Sequence, residues 1–172
     1  MDQPAPPPIP QARILIVEDE AMTRKAIVRA LNLLGYRADA AGSGSEALET
    51  LSTLSYDVML LDLRMPGIDG VEVMRRVSDS HPNLQVIIFT AYATVESAIE
   101  ALRAGAVEYL LKPCSIPDIE AAIRRALERH QERLRREHLL QVMSGALDAL
   151  QAETEPERHA PPPQEERFLQ YG

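Results

Sequence analysis

Apolar residues recur along this chain in two alternating rhythms. Ile14-Leu15-Ile16-Val17, Val58-Met59-Leu60-Leu61, Val86-Ile87-Ile88-Phe89 and Tyr109-Leu110-Leu111 are apolar without a break, as strands covered on both faces are. Tyr36-Arg37-Ala38-Asp39-Ala40 alternates instead and reads as a sheet edge, with strands three, four and five as central ones. Longer stretches with helical periodicity separate these runs. The pattern predicts strands over 13–18, 36–40, 57–62, 85–90 and 107–111, and helices over 21–34, 45–54, 70–80, 94–104 and 116–150. The punctuation agrees. Gly35 and Gly105 follow the first and fourth helices, where a left-handed cap wants no Cβ. Asp69 with Glu72 and Ser115 with Asp118 have capping-box spacing, and Pro117 sits in a first turn. Five strand–helix units of this length predict an α/β fold: a flavodoxin-like, doubly wound, five-stranded parallel sheet in the order 2-1-3-4-5 with five helices, the last one extended.

Proline sets the expected limits of that fold. Nine of the 13 prolines fall in residues 4–10 and 156–163, which favour extended chain over core. The expected organisation is a Pro-rich, disordered segment over 1–10, a folded domain over 11–128, a helical extension over 129–152 and a Pro/Glu-rich linker over 153–172. The last helix would be about 50 Å long at 1.5 Å per residue. Ile116, Ile119, Ile123, Ala126 and Leu127 share one face of it, suited to docking on a sheet. Beyond His130 arginines interleave with glutamates, and Glu132 to Arg136 has the favourable i,i+4 polarity. Leu139, Met143, Ala146 and Leu150 then recur at coiled-coil spacing, out of register with Leu127 and Leu134.

Composition narrows the function classes. The net charge is −8, and an acidic domain repels phosphate backbones, so direct nucleic-acid binding by this segment is not expected. The single cysteine, Cys114, excludes an intramolecular disulfide and fits a reducing compartment. Apolar runs are far short of the ~20 residues of a membrane helix, so a soluble, cytoplasmic protein without membrane contact is expected.

The chemistry lies at the strand ends. Strand 1 delivers Glu18-Asp19-Glu20, strand 3 delivers Asp62, strand 4 Thr90 and strand 5 Lys112-Pro113. In an open parallel sheet these ends converge at one edge. Carboxylates so close raise one another's pKa unless a cation neutralises them, and oxygen donors suit Mg2+: two carboxylates, a backbone carbonyl from the loop after Asp62, and waters. An Asp oxygen so placed can attack phosphorus in line and form an acyl phosphate. Lys112 offers charge to another phosphoryl oxygen and Thr90 a hydroxyl, with a cis Lys112-Pro113 bond as one way to aim the lysine back. Each residue alone has an ordinary explanation, since a Glu-Asp pair also suits any helix N-terminus. Their joint placement at matching strand ends carries the argument. Gly42-Ser43-Gly44-Ser45 lacks the lysine of a P-loop and reads as a turn with an N-cap. The histidines show no ligand spacing and read as solvated surface.

From about Ala12 to Leu127 these residues resemble the receiver domain of two-component response regulators. The resemblance rests on Val17-Glu18-Asp19, Asp62-Leu63-Arg64-Met65-Pro66-Gly67-Ile68-Asp69-Gly70, Thr90-Ala91 and Lys112-Pro113. It implies that Asp62 accepts phosphate from a sensor histidine kinase. It also implies that Glu18, Asp19, Asp62 and the Arg64 carbonyl serve Mg2+, while Thr90 and Lys112 read the phosphate. Tyr109 occupies the position of an aromatic that turns inward as Thr90 moves, although a half-buried strand aromatic would look the same. Arg64 and Tyr92 lie where such domains vary and tune phosphate lifetime. Cys114 departs from the phenylalanine often found after Lys-Pro. The stretch Ala91 to Lys112 resembles receivers attached to ATPase-type transcription activators.

The expected protein is therefore a phosphorylation-dependent switch whose only chemistry is its own phosphorylation and dephosphorylation. Its output is expected to be a transcription-regulating domain, and Arg167-Phe168-Leu169-Gln170-Tyr171-Gly172 resembles the opening strand of a winged-helix domain. The alternatives are a stand-alone regulator acting by docking, a receiver that binds partners without phosphorylation, and an aspartate-nucleophile phosphohydrolase. A homodimer is expected, through the face of helix 4, strand 5 and helix 5 or through the C-terminal helix.

Overall fold

The computed structural model describes residues 12–154. The expected N-terminal disorder and the winged-helix-like tail lie outside that range. Chain order is β1 (Arg13–Val17), α1 (Ala21–Leu33), β2 (Arg37–Ala41), α2 (Gly44–Thr53), β3 (Val58–Leu61), α3 (Gly70–Ser80), β4 (Gln85–Thr90), α4 (Val95–Arg103), β5 (Glu108–Leu111) and α5 (Ile116–Thr154). All strand pairs are parallel, and the sheet order is β2-β1-β3-β4-β5, as the sequence predicts. The chain divides into two compact units, one ending at Arg133 and the other beginning at Leu134.

Side-chain alternation splits the core of the first unit into two layers. Ile14 and Ile16, Val58 and Leu60, and Ile87 and Phe89 face α1 and α5, where Ile27, Leu31, Ile119, Ile123 and Leu127 meet them. Leu15 and Val17, Met59 and Leu61, and Val86 and Ile88 face α2, α3 and α4 through Leu51, Val73, Met74, Val77 and Ala101. Full burial of such a side chain stabilises by roughly 1.5–3 kcal/mol, so the three central strands anchor everything attached to them. The expectation that the fifth strand is central is corrected. In this order β5 has one strand neighbour, its residues are half-buried, and Leu111 is exposed. It is apolar because α4 and α5 flank it, not because sheet covers both sides.

Helix termini follow local chemistry. Ser43 caps α2 by accepting from the Glu46 N–H, so Gly42-Ser43-Gly44-Ser45 is a turn and cap. Ser115 and Asp118 bond reciprocally before α5, whereas Asp69 accepts from the Glu72 N–H without a return bond. A box that the sequence reading missed joins Thr94 and Ser97 at the start of α4. Gly35 and Gly105 take the expected left-handed conformation, with φ of 94° and 95°. The last helix runs to Thr154, four residues past its expected end, since the first proline after Pro117 is Pro156.

Two of the histidines read as solvated surface are anchored, and arginines of α5 are paired. His81 sits between Ser80 Oγ and the Leu51 carbonyl, and His130 Nδ1 lies 3.2 Å from Gln85 Nε2. Arg125 and Arg129 both pair with Glu108, and Arg124 pairs with Glu120. In the second unit Leu139, Leu140, Met143, Leu147 and Leu150 are all exposed.

Gly70 shows how tightly the loop after β3 is folded. A Cβ there would stand 2.4 Å from the Asp62 carbonyl oxygen and 2.7 Å from Leu63 Cα. Both obstacles are backbone and cannot rotate away. Gly70→Ala is expected to destabilise the fold by about 2 kcal/mol, read as a lower midpoint in urea unfolding.

Candidate functional site

The parallel ladder continues one residue past several strands and so aligns their ends. Glu18 N donates to the Ala41 carbonyl (3.1 Å), Asp62 N to the Val17 carbonyl (3.0 Å) and Lys112 N to the Thr90 carbonyl (2.9 Å). Glu18, Asp62, Thr90 and Lys112 therefore stand in one row along the carboxyl edge of the sheet. One carboxylate oxygen from each of Glu18, Asp19 and Asp62 lies within 4.8 Å of the others. Lys112 Nζ bridges two of them, at 2.5 Å from Glu18 Oε2 and 2.8 Å from Asp62 Oδ2. The Lys112-Pro113 bond is cis, as anticipated, and Nζ lies 4.8 Å from the centre of the Phe89 ring.

Burial divides the acids. Glu18 is 1% exposed and Asp62 6%, whereas Asp19 is open to solvent. Burial pushes the Glu18 carboxyl above its ordinary range, against the hydrogen bond and charge of Lys112. Burial also pulls the Lys112 ammonium down, but its hydrogen bonds to Asp62 and Glu18 and their charges together outweigh that and hold it above its ordinary value. The two partners shift in directions that differ in meaning. The pairing stabilises the ammonium, while for the more deeply buried Glu18 desolvation wins.

The other expected residues are placed as follows. Thr90 ends β4 fully buried, and its Oγ1 accepts from the Tyr92 N–H at 3.3 Å. Arg64 N donates to Asp62 Oδ1 (3.1 Å), and the Arg64 guanidinium stacks over Tyr92 at 4.8 Å from the ring centre. Tyr109 is half-buried on β5 with its hydroxyl 3.4 Å from Ser97 Oγ, on the helix whose cap Ser97 helps to form. A cavity of about 640 Å³ is lined by Leu63, Arg64, Asp69, Tyr92 and Ser97 among others, and by none of the three clustered acids.

Sequence reasoning missed Arg24. Its Nη1 donates to the backbone carbonyls of Glu18 (2.5 Å) and Asp19 (3.2 Å). The available signal was an arginine in the first turn of a helix, where the dipole disfavours a cation.

The chain belongs to the response regulator receiver domain family, whose model matches residues 14–124. It is similar to the regulatory protein AtoC of Escherichia coli K12, at 37% identity over 77% of this chain and 29% of that protein. It is likewise similar to the DNA-binding transcriptional regulator NtrC of Klebsiella pneumoniae, at 39% identity over 68% of this chain and 25% of that protein. The chain thus spans between a quarter and a third of the length of these relatives. A CheY-like receiver domain from Methanospirillum hungatei superposes with a TM-score of 0.69 at 27% identity, over 71% of this chain and 98% of that one. The response regulator TrrA of Thermotoga maritima, solved in complex with Mg2+ and BeF, superposes with a TM-score of 0.62 at 33% identity, over 67% of this chain and 99% of that one. Among the described residues no helix is long and apolar enough to cross a membrane.

The donor set fits a hard divalent cation: three carboxylates, all oxygen, converge at one open edge and are only partly neutralised by one ammonium. A raised Glu18 carboxyl has a thermodynamic consequence. The folded chain holds that proton more firmly than the unfolded chain, so the stability this group contributes is present at low pH. It is lost as pH rises from 4.5 through the folded value, leaving a net cost at neutral pH. Glu18→Gln is therefore expected to make the metal-free protein more stable than the wild type at pH 7. The advantage over the wild type should shrink towards pH 4, measured by urea unfolding at each pH.

Proposed function

We propose that Asp62 accepts a phosphoryl group from the phosphohistidine of a sensor histidine kinase and that the receiver switches conformation in response. The observation that carries this reading is the convergence of Glu18, Asp19 and Asp62 around Lys112 Nζ at one sheet edge. In the step, an Asp62 carboxylate oxygen forms a bond to phosphorus while the bond from phosphorus to the donor imidazole breaks. The imidazole nitrogen leaves with the electron pair, and Asp62 becomes an acyl phosphate. Glu18, Asp19, Asp62 and the Arg64 backbone carbonyl are the oxygen donors for Mg2+, which when bound supplies positive charge against the phosphoryl oxygens. The Mg2+ and BeF in the similar TrrA structure support that assignment.

Lys112 exchanges a carboxylate partner for a phosphoryl oxygen, and the Thr90 hydroxyl donates to another. Tyr109 then turns inward into the space that Thr90 leaves. These contacts exist in one conformer alone, so the equilibrium shifts by their differential free energy. The receiver over 11–128 acts through the helical extension over 129–152 and the linker over 153–172, in the cytoplasm, on a transcription-regulating output. Support for that output comes from AtoC and NtrC, which are named regulators.

Incubation with acetyl phosphate and Mg2+ is expected to add one phosphoryl group per chain by intact mass, and none to Asp62→Asn or without Mg2+. Steady turnover of a small phosphoester would instead favour an aspartate-nucleophile phosphohydrolase. The reading includes a homodimer, detected by sedimentation. Its loss in Leu102→Glu would assign the face of α4, β5 and α5, and its loss in Leu147→Glu the C-terminal helix.

A further inference from the structure

The loop between β1 and α1 must turn two carboxylates towards Asp62, yet it lacks the usual device for holding a helix start. Glu20, the N-cap of α1, makes no side-chain bond to the helix backbone, and its Oε2 accepts from Thr23 Oγ1 instead. The first turn of α1 carries no acid. Arg24 does the holding. Its Nη1 reaches back to the carbonyls of Glu18 and Asp19, whose side chains are two of the three in the acidic cluster.

The guanidinium has a prepared seat. Gly42, directly after β2, lies against it closely enough that a Cβ would stand 3.3 Å from Nη1 and 3.4 Å from Cζ. Gly42 is itself fixed, since its N–H donates to Glu46 Oε2 at 2.6 Å. On the other side, the Glu18 N–H donates to the carbonyl of Ala41, the residue before Gly42. Glu18 is therefore held at both its N–H and its carbonyl, which leaves its side chain directed to Lys112 and Asp62.

We infer that Arg24, seated on Gly42, is a positioning residue that orients the Glu18 and Asp19 carboxylates for a divalent cation. The inference rests on the Mg2+ reading of the site given above. Electrostatics and positioning make opposite predictions here. A guanidinium near a cation site repels the cation, so its removal alone would tighten binding. Loss of the two backbone bonds releases the loop and weakens it. Where outer groups hold metal ligands, their removal commonly costs 10–100-fold in affinity, and positioning should win.

The test is calorimetric titration of Mg2+ into the full chain, for the wild type, Arg24→Met, Arg24→Lys and Gly42→Ala, with melting curves for each. Arg24→Met is expected to bind Mg2+ about tenfold more weakly. Arg24→Lys should fall between it and the wild type. Gly42→Ala should weaken binding in the same direction with every charge retained, because its methyl displaces the guanidinium. Melting temperatures close to the wild type, and full phosphorylation of Asp62 at saturating Mg2+, separate positioning from general damage. Affinity unchanged or tighter in Arg24→Met and Gly42→Ala overturns the inference and leaves the metal reading standing. A wild type that binds no Mg2+ overturns both.

Discussion

Mutual repulsion among three carboxylates is the constraint around which this receiver is arranged. Glu18 and Asp62 are nearly sealed from water, where an uncompensated charge is costly, and the answer within the chain is one ammonium shared between them. That answer dictates topology. β1 and β3 must be neighbours to bring the acids together, and β5 must run parallel two strands from β3 so that a long, flexible side chain can cross the end of β4. Thr90 lies beneath that crossing, and the lysine backbone is tied to its carbonyl.

The same arrangement separates what makes the domain stable from what makes it useful. Stability comes from the two apolar layers on the faces of the central strands, which reach up to Val17, Leu61 and Phe89, directly before the polar row at the carboxyl edge. The carboxyl edge works against that stability, because burial raises the Glu18 carboxyl even with Lys112 beside it. A group so perturbed is a poor structural element and a good ligand, a combination common at functional sites.

The fold was legible because its signals are local and redundant. Unbroken apolar runs, left-handed glycines and cap spacings all point to the same five units, and the strand-end residues fall into one row once the strands are parallel. The failures have equally local causes. β5 was read as central because Tyr109-Leu110-Leu111 is apolar, and apolarity cannot distinguish cover by helices from cover by strands. The Thr94–Ser97 cap was missed because the familiar pattern ends in an acid rather than a serine. Arg24 was missed because its partners are backbone carbonyls, which no side-chain pattern records. Glu108 is another such case, since only the folded chain brings Arg125 and Arg129 to it across 17 and 21 residues.

Anchorage of the helices is unequal, and α4 has the least of it. Ala101 is its single buried residue, whereas Val95, Ile99 and Leu102 face outward. Detaching an alanine from a core releases far less apolar area than detaching the Ile119, Ile123 and Leu127 of α5. Opening free energies vary from segment to segment within one native structure, and the segments with least buried area open first. This domain accordingly has a soft flank beside a rigid frame. Movement of α4 therefore exposes the least core of any helix, and the frame that holds the acids does not depend on it.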